Sequence, residues 1–318
     1  MIMKDQYGRS ITYLRLSVTD RCILRCRYCM PEEGIEKKRH EDMLTEDEMI
    51  RAVEAAAELG ICKLRITGGE PLVKKNILSI CERAAKVPGI REVCITTNGL
   101  LLPQMAADLR RAGVRRLNIS LDTLNPEKYA RITRGGDLAG ALEGLRAALD
   151  AGFEKVKINA VLIGGFNDDE IPALAELTRS GPLDVRFIEL MPMPGGEAFD
   201  PACYLPVSAV LEHLPQARME RSEGVSRLYR LPGAPGCIGL ISPLSQHFCQ
   251  SCNRIRLTAD GKIKPCLHSA EEISIKGLDR EGMKRRLRDA ILSKPRCHAE
   301  LGAASPSHSA RNMNQIGG

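Results

Sequence analysis

The sequence contains no tryptophan, and aromatic residues make up only 3% of its 318 residues. A core must therefore be packed mainly from Leu, Ile, Val, Ala and Met, which is feasible because hydrophobic residues reach 43%. Long apolar runs are also missing. No uninterrupted stretch is long enough to span a bilayer, and the opening MIMKDQYGRS lacks the apolar segment of a secretory signal. The expectation is a cytoplasmic protein without a membrane segment. There is no lysine-rich tail and no basic face interleaved with aromatics, so the net charge of +6 does not point to nucleic acid. An anionic small-molecule substrate accounts for it better, because several Arg and Lys fall on or beside strands.

Cysteine, by contrast, is plentiful, with twelve residues. Cytoplasmic thiols stay reduced, so disulfides are a poor account and metal or cluster ligation is a better one. Two sets have ligand-like spacing: Cys22, Cys26 and Cys29, then Cys249, Cys252 and Cys266. Cys62, Cys81, Cys94, Cys203, Cys237 and Cys297 are isolated. Cys62 and Cys94 lie in or beside apolar strands and read as core, while Cys297 reads as an incidental thiol.

β-Branched runs recur at Leu14–Val18, Lys63–Thr67, Glu92–Thr97, Arg116–Leu121, Val156–Ile163 and Val185–Leu190. Between them lie helical spacings at Thr45–Leu59, Lys75–Lys86, Pro103–Ala112, Leu138–Ala151 and Asp168–Arg179. Thr45 with Glu48 has the capping-box pattern, and Gly60, Gly113 and Gly152 stand where helices end. Alternation of this kind implies parallel βαβ units. The expected fold is α/β: an incomplete (β/α)6 barrel of TIM type over residues 1–195. A less regular region, 196–318, carries the second cysteine set. In such barrels the site lies at the C-terminal ends of the strands. Gly68–Pro71, Thr97–Gly99, Ser120, Asp122 and Glu189–Pro192 all fall there. The tail from Ala299 to Gly318 is small and polar, and taken alone reads as disorder.

Three thiolates in a short loop can face one centre, and soft sulfur suits iron–sulfur clusters or zinc. A structural zinc site would need a fourth ligand, and His40 is the nearest histidine. A four-iron cluster on three cysteines leaves one iron open to a small chelating molecule. For the second set, a zinc ribbon completed by His247 or His268 is the rival. Against it, Arg254 and Arg256 lie on one face of a strand between the cysteines, which suits an anionic ligand.

The Cys-x3-Cys-x2-Cys loop with Tyr28 before its third cysteine, followed by Gly68-Gly69-Glu70-Pro71, resembles the radical S-adenosylmethionine superfamily. Within it the chain resembles the GTP 3′,8-cyclases of molybdenum cofactor biosynthesis nearly end to end. The resemblance runs through Leu14–Cys22, Arg65–Leu72, Thr96–Gly99, Asn118–Leu124, Val156–Val161, Arg186–Pro192, Phe248–Thr258 and the final Ile316-Gly317-Gly318. It implies two [4Fe–4S] clusters, one on Cys22, Cys26 and Cys29 and one on Cys249, Cys252 and Cys266. It implies an S-adenosylmethionine site with Tyr28, Gly69, Ser120 and Met191. It implies a GTP site with Arg15, Arg65, Thr96, Lys157, Arg186, Arg254 and Arg256, and roles in the radical step for Arg254, Arg256, Gly317 and Gly318. The implied reaction is reductive cleavage of S-adenosylmethionine to a 5′-deoxyadenosyl radical. That radical removes the 3′ hydrogen of GTP, and the ribose closes on guanine C8 to give (8S)-3′,8-cyclo-7,8-dihydroguanosine 5′-triphosphate. An electron donor such as flavodoxin or ferredoxin and a downstream cyclic pyranopterin monophosphate synthase follow as partners, with the chain a monomer or homodimer. The alternatives are a peptide-maturase type of radical enzyme with an auxiliary cluster and a zinc-stapled binding protein.

Overall fold

The structure is a computed structural model that describes residues 2–36, 38–194, 201–299, 301 and 305–317. The position expected to divide the two regions, 195–196, and Gly318 lie outside the described residues.

Six parallel strands form the barrel: β1 (Tyr13–Ser17), β2 (Lys63–Thr67), β3 (Glu92–Thr97), β4 (Val114–Ser120), β5 (Lys155–Leu162) and β6 (Leu183–Glu189). Their outward residues are aliphatic and meet the helices α1 (Glu46–Glu58), α2 (Ile77–Ala85), α3 (Leu102–Arg111), α4 (Pro126–Thr133), α5 (Leu138–Asp150) and α6 (Ile171–Glu176). The capping box forms at α1: Glu48 N–H donates to the Thr45 hydroxyl, and Glu48 in turn accepts from Thr45 N–H. The expected helix over 168–179 is shorter. Pro172 sits in the first turn of α6, where its missing N–H costs nothing, and single 3-10 turns flank it on both sides.

The later region does not form a separate layer. After α7 (Ala209–His213), a hairpin of β7 (Arg218–Glu223) and β8 (Ser226–Arg230) pairs through β9 (Ile238–Ile241) onto β6. At the other edge β10 (Arg254–Leu257) pairs parallel with β1, followed by β11 (Lys262–Lys264) and β12 (Ile273–Ser274). Among the described residues one twelve-stranded sheet results, in the order β12-β11-β10-β1-β2-β3-β4-β5-β6-β9-β8-β7. α8 (Arg280–Leu292) packs on α1. The described residues end with the short α9 (Met313–Ile316) and Gly317; Ile316 is 1% exposed and Asn314 2%, so this end of the tail is packed, while Pro306, His308 and Ala310 are exposed. No helix among the described residues is long and apolar enough to cross a membrane.

Candidate active site

Strand register explains why so many cations share the barrel interior. Tyr13 on β1 stands level with Lys63 on β2 and Arg254 on β10. One step up, Arg15 stands level with Arg65 and Arg256. Residues two apart on a strand share a face, so these two rows stack. Across the barrel Lys157 lies beside Asn118 and Asp184, and Asn159 beside Arg186. Arg65 donates to the Thr96 hydroxyl at 3.3 Å and, through Nε, to the Tyr13 hydroxyl. The guanidiniums of Arg15 and Arg256 are depressed, whereas Tyr13 beside Arg65 raises that one despite its burial. Burial and then Arg256 hold Arg15 well below its usual range, and burial and then Arg254 bring Arg256 down to about 10.

On the far wall Lys157 Nζ reaches Glu223 at 2.8 Å and Arg186 reaches the same oxygen at 3.1 Å. Burial, then Arg186, lower Lys157 to about 8. The Nε atoms of Arg186 and Arg254 are buried without a hydrogen-bond partner. Orphaned cationic donors inside a barrel are what an anionic ligand satisfies.

The first cysteine loop leaves the top of β1 and is tied down on three sides. Gly69 N–H donates to Thr19 carbonyl oxygen at 2.8 Å and Glu70 N–H to that of Arg21 at 2.7 Å. Arg134, at the left-handed end of α4, donates to the carbonyls of Arg25 at 2.9 Å and Met30 at 3.1 Å. Tyr28 donates its hydroxyl proton to Asp122 at 2.7 Å. A Cβ on Gly68 or Gly69 would lie 2.4 Å from Thr19 O or 2.3 Å from Arg21 O. These glycines therefore let the cysteine loop cross β2, a role beyond the close ligand approach expected from sequence. Buried Glu70 fastens the crossing by accepting from Leu72 N–H, Thr97 Oγ1 and Asn98 N–H.

Burial pushes Cys22 up to about 11 and Cys29 up to about 12, and holds Cys26 well above the usual thiol range, with neighbouring thiols opposing the ionisation of Cys26 and Cys29. Ionising these thiols would need the charge of a bound metal centre. The second set begins at the opposite end of the barrel, where Cys252 precedes β10 and Cys266 follows β11. Burial alone would raise Cys252, but Lys294 beside it, the Arg254 amide and Arg254 itself lower it. Lys294, 2% exposed, also donates to the carbonyls of Arg254 at 2.9 Å and Pro265 at 2.7 Å. Among the described residues, only His247, Cys249 and His298 bring three ligand atoms within 4.8 Å of one another. Both three-cysteine sets are more open than that. His268, one of the histidines considered for a zinc ribbon, turns instead to Ser307 Oγ at 3.0 Å.

The chain end reaches this interior. Arg256 donates to the carbonyl of Ile316 at 3.0 Å and to that of Gly317. Asn314 donates to Asp20 O at 2.9 Å, and its backbone N–H faces Cys29. Ser120 ends β4 beside Asn159, and Met191, half-buried, follows β6 at the same end. Arg15, Arg65, Thr96, Lys157, Arg186, Arg254, Arg256 and Gly317 all lie in or against the barrel interior. Tyr13, Lys63, Glu223 and Lys294 belong with them and escaped the sequence reading.

Two family models match the chain: one described as the Radical SAM superfamily over residues 16–178, and one as Molybdenum Cofactor Synthesis C over 183–300. A GTP 3′,8-cyclase of Alkaliphilus metalliredigens (strain QYMF) is 48% identical, covering 99% of this chain and all of its own length. The chain belongs to the GTP 3′,8-cyclase family. A family member from Moorella thermoacetica (strain ATCC 39073 / JCM 9320) is 45% identical over 99% of this chain and all of its own. Among solved structures, Streptococcus suis SuiB matches with a TM-score of 0.64 at 14% identity, over 91% of this chain and 68% of that one. The structure of anSMEcpe with bound AdoMet matches with a TM-score of 0.60 at 12% identity, over 91% and 79%. These two likenesses show a shared fold. Family membership favours the cyclase over the maturase and zinc-stapled alternatives.

Proposed function

We propose that this chain converts GTP to (8S)-3′,8-cyclo-7,8-dihydroguanosine 5′-triphosphate, the first step of molybdenum cofactor biosynthesis. The observation that carries this reading is a barrel with three cysteines at each end and, between them, the buried, unpartnered Nε atoms of Arg186 and Arg254. Cys22, Cys26 and Cys29 would hold one [4Fe–4S] cluster, and Cys249, Cys252 and Cys266 the other. When bound, the first cluster supplies the electron that cleaves S-adenosylmethionine.

The chain's own residues position and shield. Tyr28, fastened to Asp122, fixes the loop beside the adenosylmethionine site with Gly69, Ser120 and Met191. Arg15, Arg65, Thr96, Lys157, Arg186, Arg254 and Arg256 hold the nucleotide. Guanidinium groups suit phosphate oxygens because they bind two at once and keep their charge. Gly317 would bring bare backbone to the reacting ribose, and the family resemblance extends the same role in the radical step to Gly318. An electron donor of the flavodoxin or ferredoxin type, a downstream cyclic pyranopterin monophosphate synthase, a cytoplasmic setting and a monomer or homodimer complete the proposal.

The test is anaerobic incubation of the reduced protein with S-adenosylmethionine, with and without GTP. 5′-Deoxyadenosine should form in step with GTP. Formation at the same rate without nucleotide, or with a peptide in its place, contradicts the reading.

A second expectation concerns Glu223. Its carboxylate holds two cations that the triphosphate needs, so it competes with the ligand. Glu223→Gln should tighten GTP binding at pH 7 by roughly threefold to tenfold, read as Kd by calorimetry. Unchanged or weaker binding would mean that Glu223 cooperates with the nucleotide.

A further inference from the structure

Tyr13 sits at the meeting point of the cationic rows. It is 7% exposed, and its hydroxyl oxygen accepts from Arg65 Nε. Its ring has Lys63 Nζ at 5.4 Å, the Arg254 guanidinium at 5.6 Å and that of Arg65 at 6.0 Å from the centroid. The register demands this: Tyr13 lies between Lys63 and Arg254, one step below Arg15, Arg65 and Arg256. Only a flat aromatic can offer two π-faces to cations and an oxygen acceptor in the plane at once.

We propose that Tyr13 is a positioning residue of the nucleotide pocket, orienting Arg65 and Arg254 toward the triphosphate through its oxygen and its ring. The inference rests on the GTP reading above and deepens it. The groups facing Tyr13 are Arg15 on its own strand, Lys63 and Arg65 on β2, Cys94 on β3 and Arg254 on β10. Burial alone would raise the phenol, but Arg65, Arg15 and Arg254 together bring it down to about 8.

This gives the residue a pH signature. Below pH 8 the neutral phenol orients the cations and leaves their full charge for the nucleotide. Above pH 8 the phenolate neutralises part of that charge and competes with the triphosphate. By linkage, bound GTP disfavours the phenolate and moves its titration upward. Lys157 also titrates near 8 and weakens binding as pH rises, but it does so equally in a Tyr13 variant.

The experiment compares GTP Kd for the cluster-loaded protein and Tyr13→Phe from pH 7 to pH 9.5. At pH 7 the variant should bind about tenfold more weakly, the effect of one lost hydrogen bond to a charged group. The ratio of the two Kd values should fall toward one as pH passes 8. A ratio that stays flat with pH overturns the proposal, because a generally loosened pocket has no reason to recover. If the variant fails to fold, the tyrosinate absorbance of the wild-type protein near 295 nm decides. One tyrosine should titrate near pH 8 and move upward with GTP; no tyrosine titrating below pH 9, or no shift with GTP, overturns the proposal. Absence of GTP binding in the wild-type protein would instead defeat the GTP reading itself.

Discussion

Gly69→Ala is expected to strip the first cysteine set of its iron and to lower 5′-deoxyadenosine formation more than about a hundredfold. The new methyl carbon would lie 2.3 Å from Arg21 O, 2.5 Å from Arg21 C and 2.7 Å from Asp20 O. All three are backbone atoms, so no flexible side chain can swing aside. The overlap also falls where Gly69 and Glu70 donate to Thr19 and Arg21, the two hydrogen bonds that stitch the loop to β2. Overpacking a tight crossing costs about 1–3 kcal/mol, and moving the loop by the required distance misplaces Cys22. The wild-type protein should carry about eight irons per chain and the variant about four, because the second set lies at the other end of the barrel. Full iron content in Gly69→Ala would show that the loop tolerates displacement.

Deleting Gly317 and Gly318 is expected to lower product formation more than about a hundredfold while GTP Kd changes by less than about threefold. Gly317 adopts φ +73°, the left-handed region in which glycine is favoured, and a Cβ there would meet Thr67 Cγ2 at 2.3 Å. The end is held by Arg256, and α9 is held by Asn314 against the first cysteine loop. Removing it leaves in place the cationic rows proposed to bind nucleotide but opens the space beside Arg256 to water. Normal turnover by the shortened chain would contradict this account, and loss of GTP binding would move the tail's role from the radical step to substrate capture.

The six barrel strands are legible because each carries an aliphatic run bounded by turn residues. The edge strands are not. β7 reads RMERSE and is exposed over its first five residues, so it shows neither alternation nor an apolar face. α8 is rich in Arg and buries only a narrow stripe, and its charge hides the helix. The cysteines and arginines of the site stand out because sulfur spacing and buried charge are unusual in any sequence. Tyr13 does not, since it lies just before the apolar run of β1. Its two-residue spacing from Arg15 was the available signal. Glu223 and Lys294 carry no local signal. Strand pairing across the sheet brings Glu223 to Lys157, and the chain after α8 brings Lys294 to Cys252.

The central claim is that the two ends of this barrel act on one nucleotide held between them. The most direct measurement uses GTP deuterated at the 3′ carbon, incubated anaerobically with the reduced protein and S-adenosylmethionine. Mass spectrometry of the 5′-deoxyadenosine should find it heavier by one deuterium, together with a cyclised nucleotide. Unlabelled 5′-deoxyadenosine formed alongside unchanged GTP would contradict the claim.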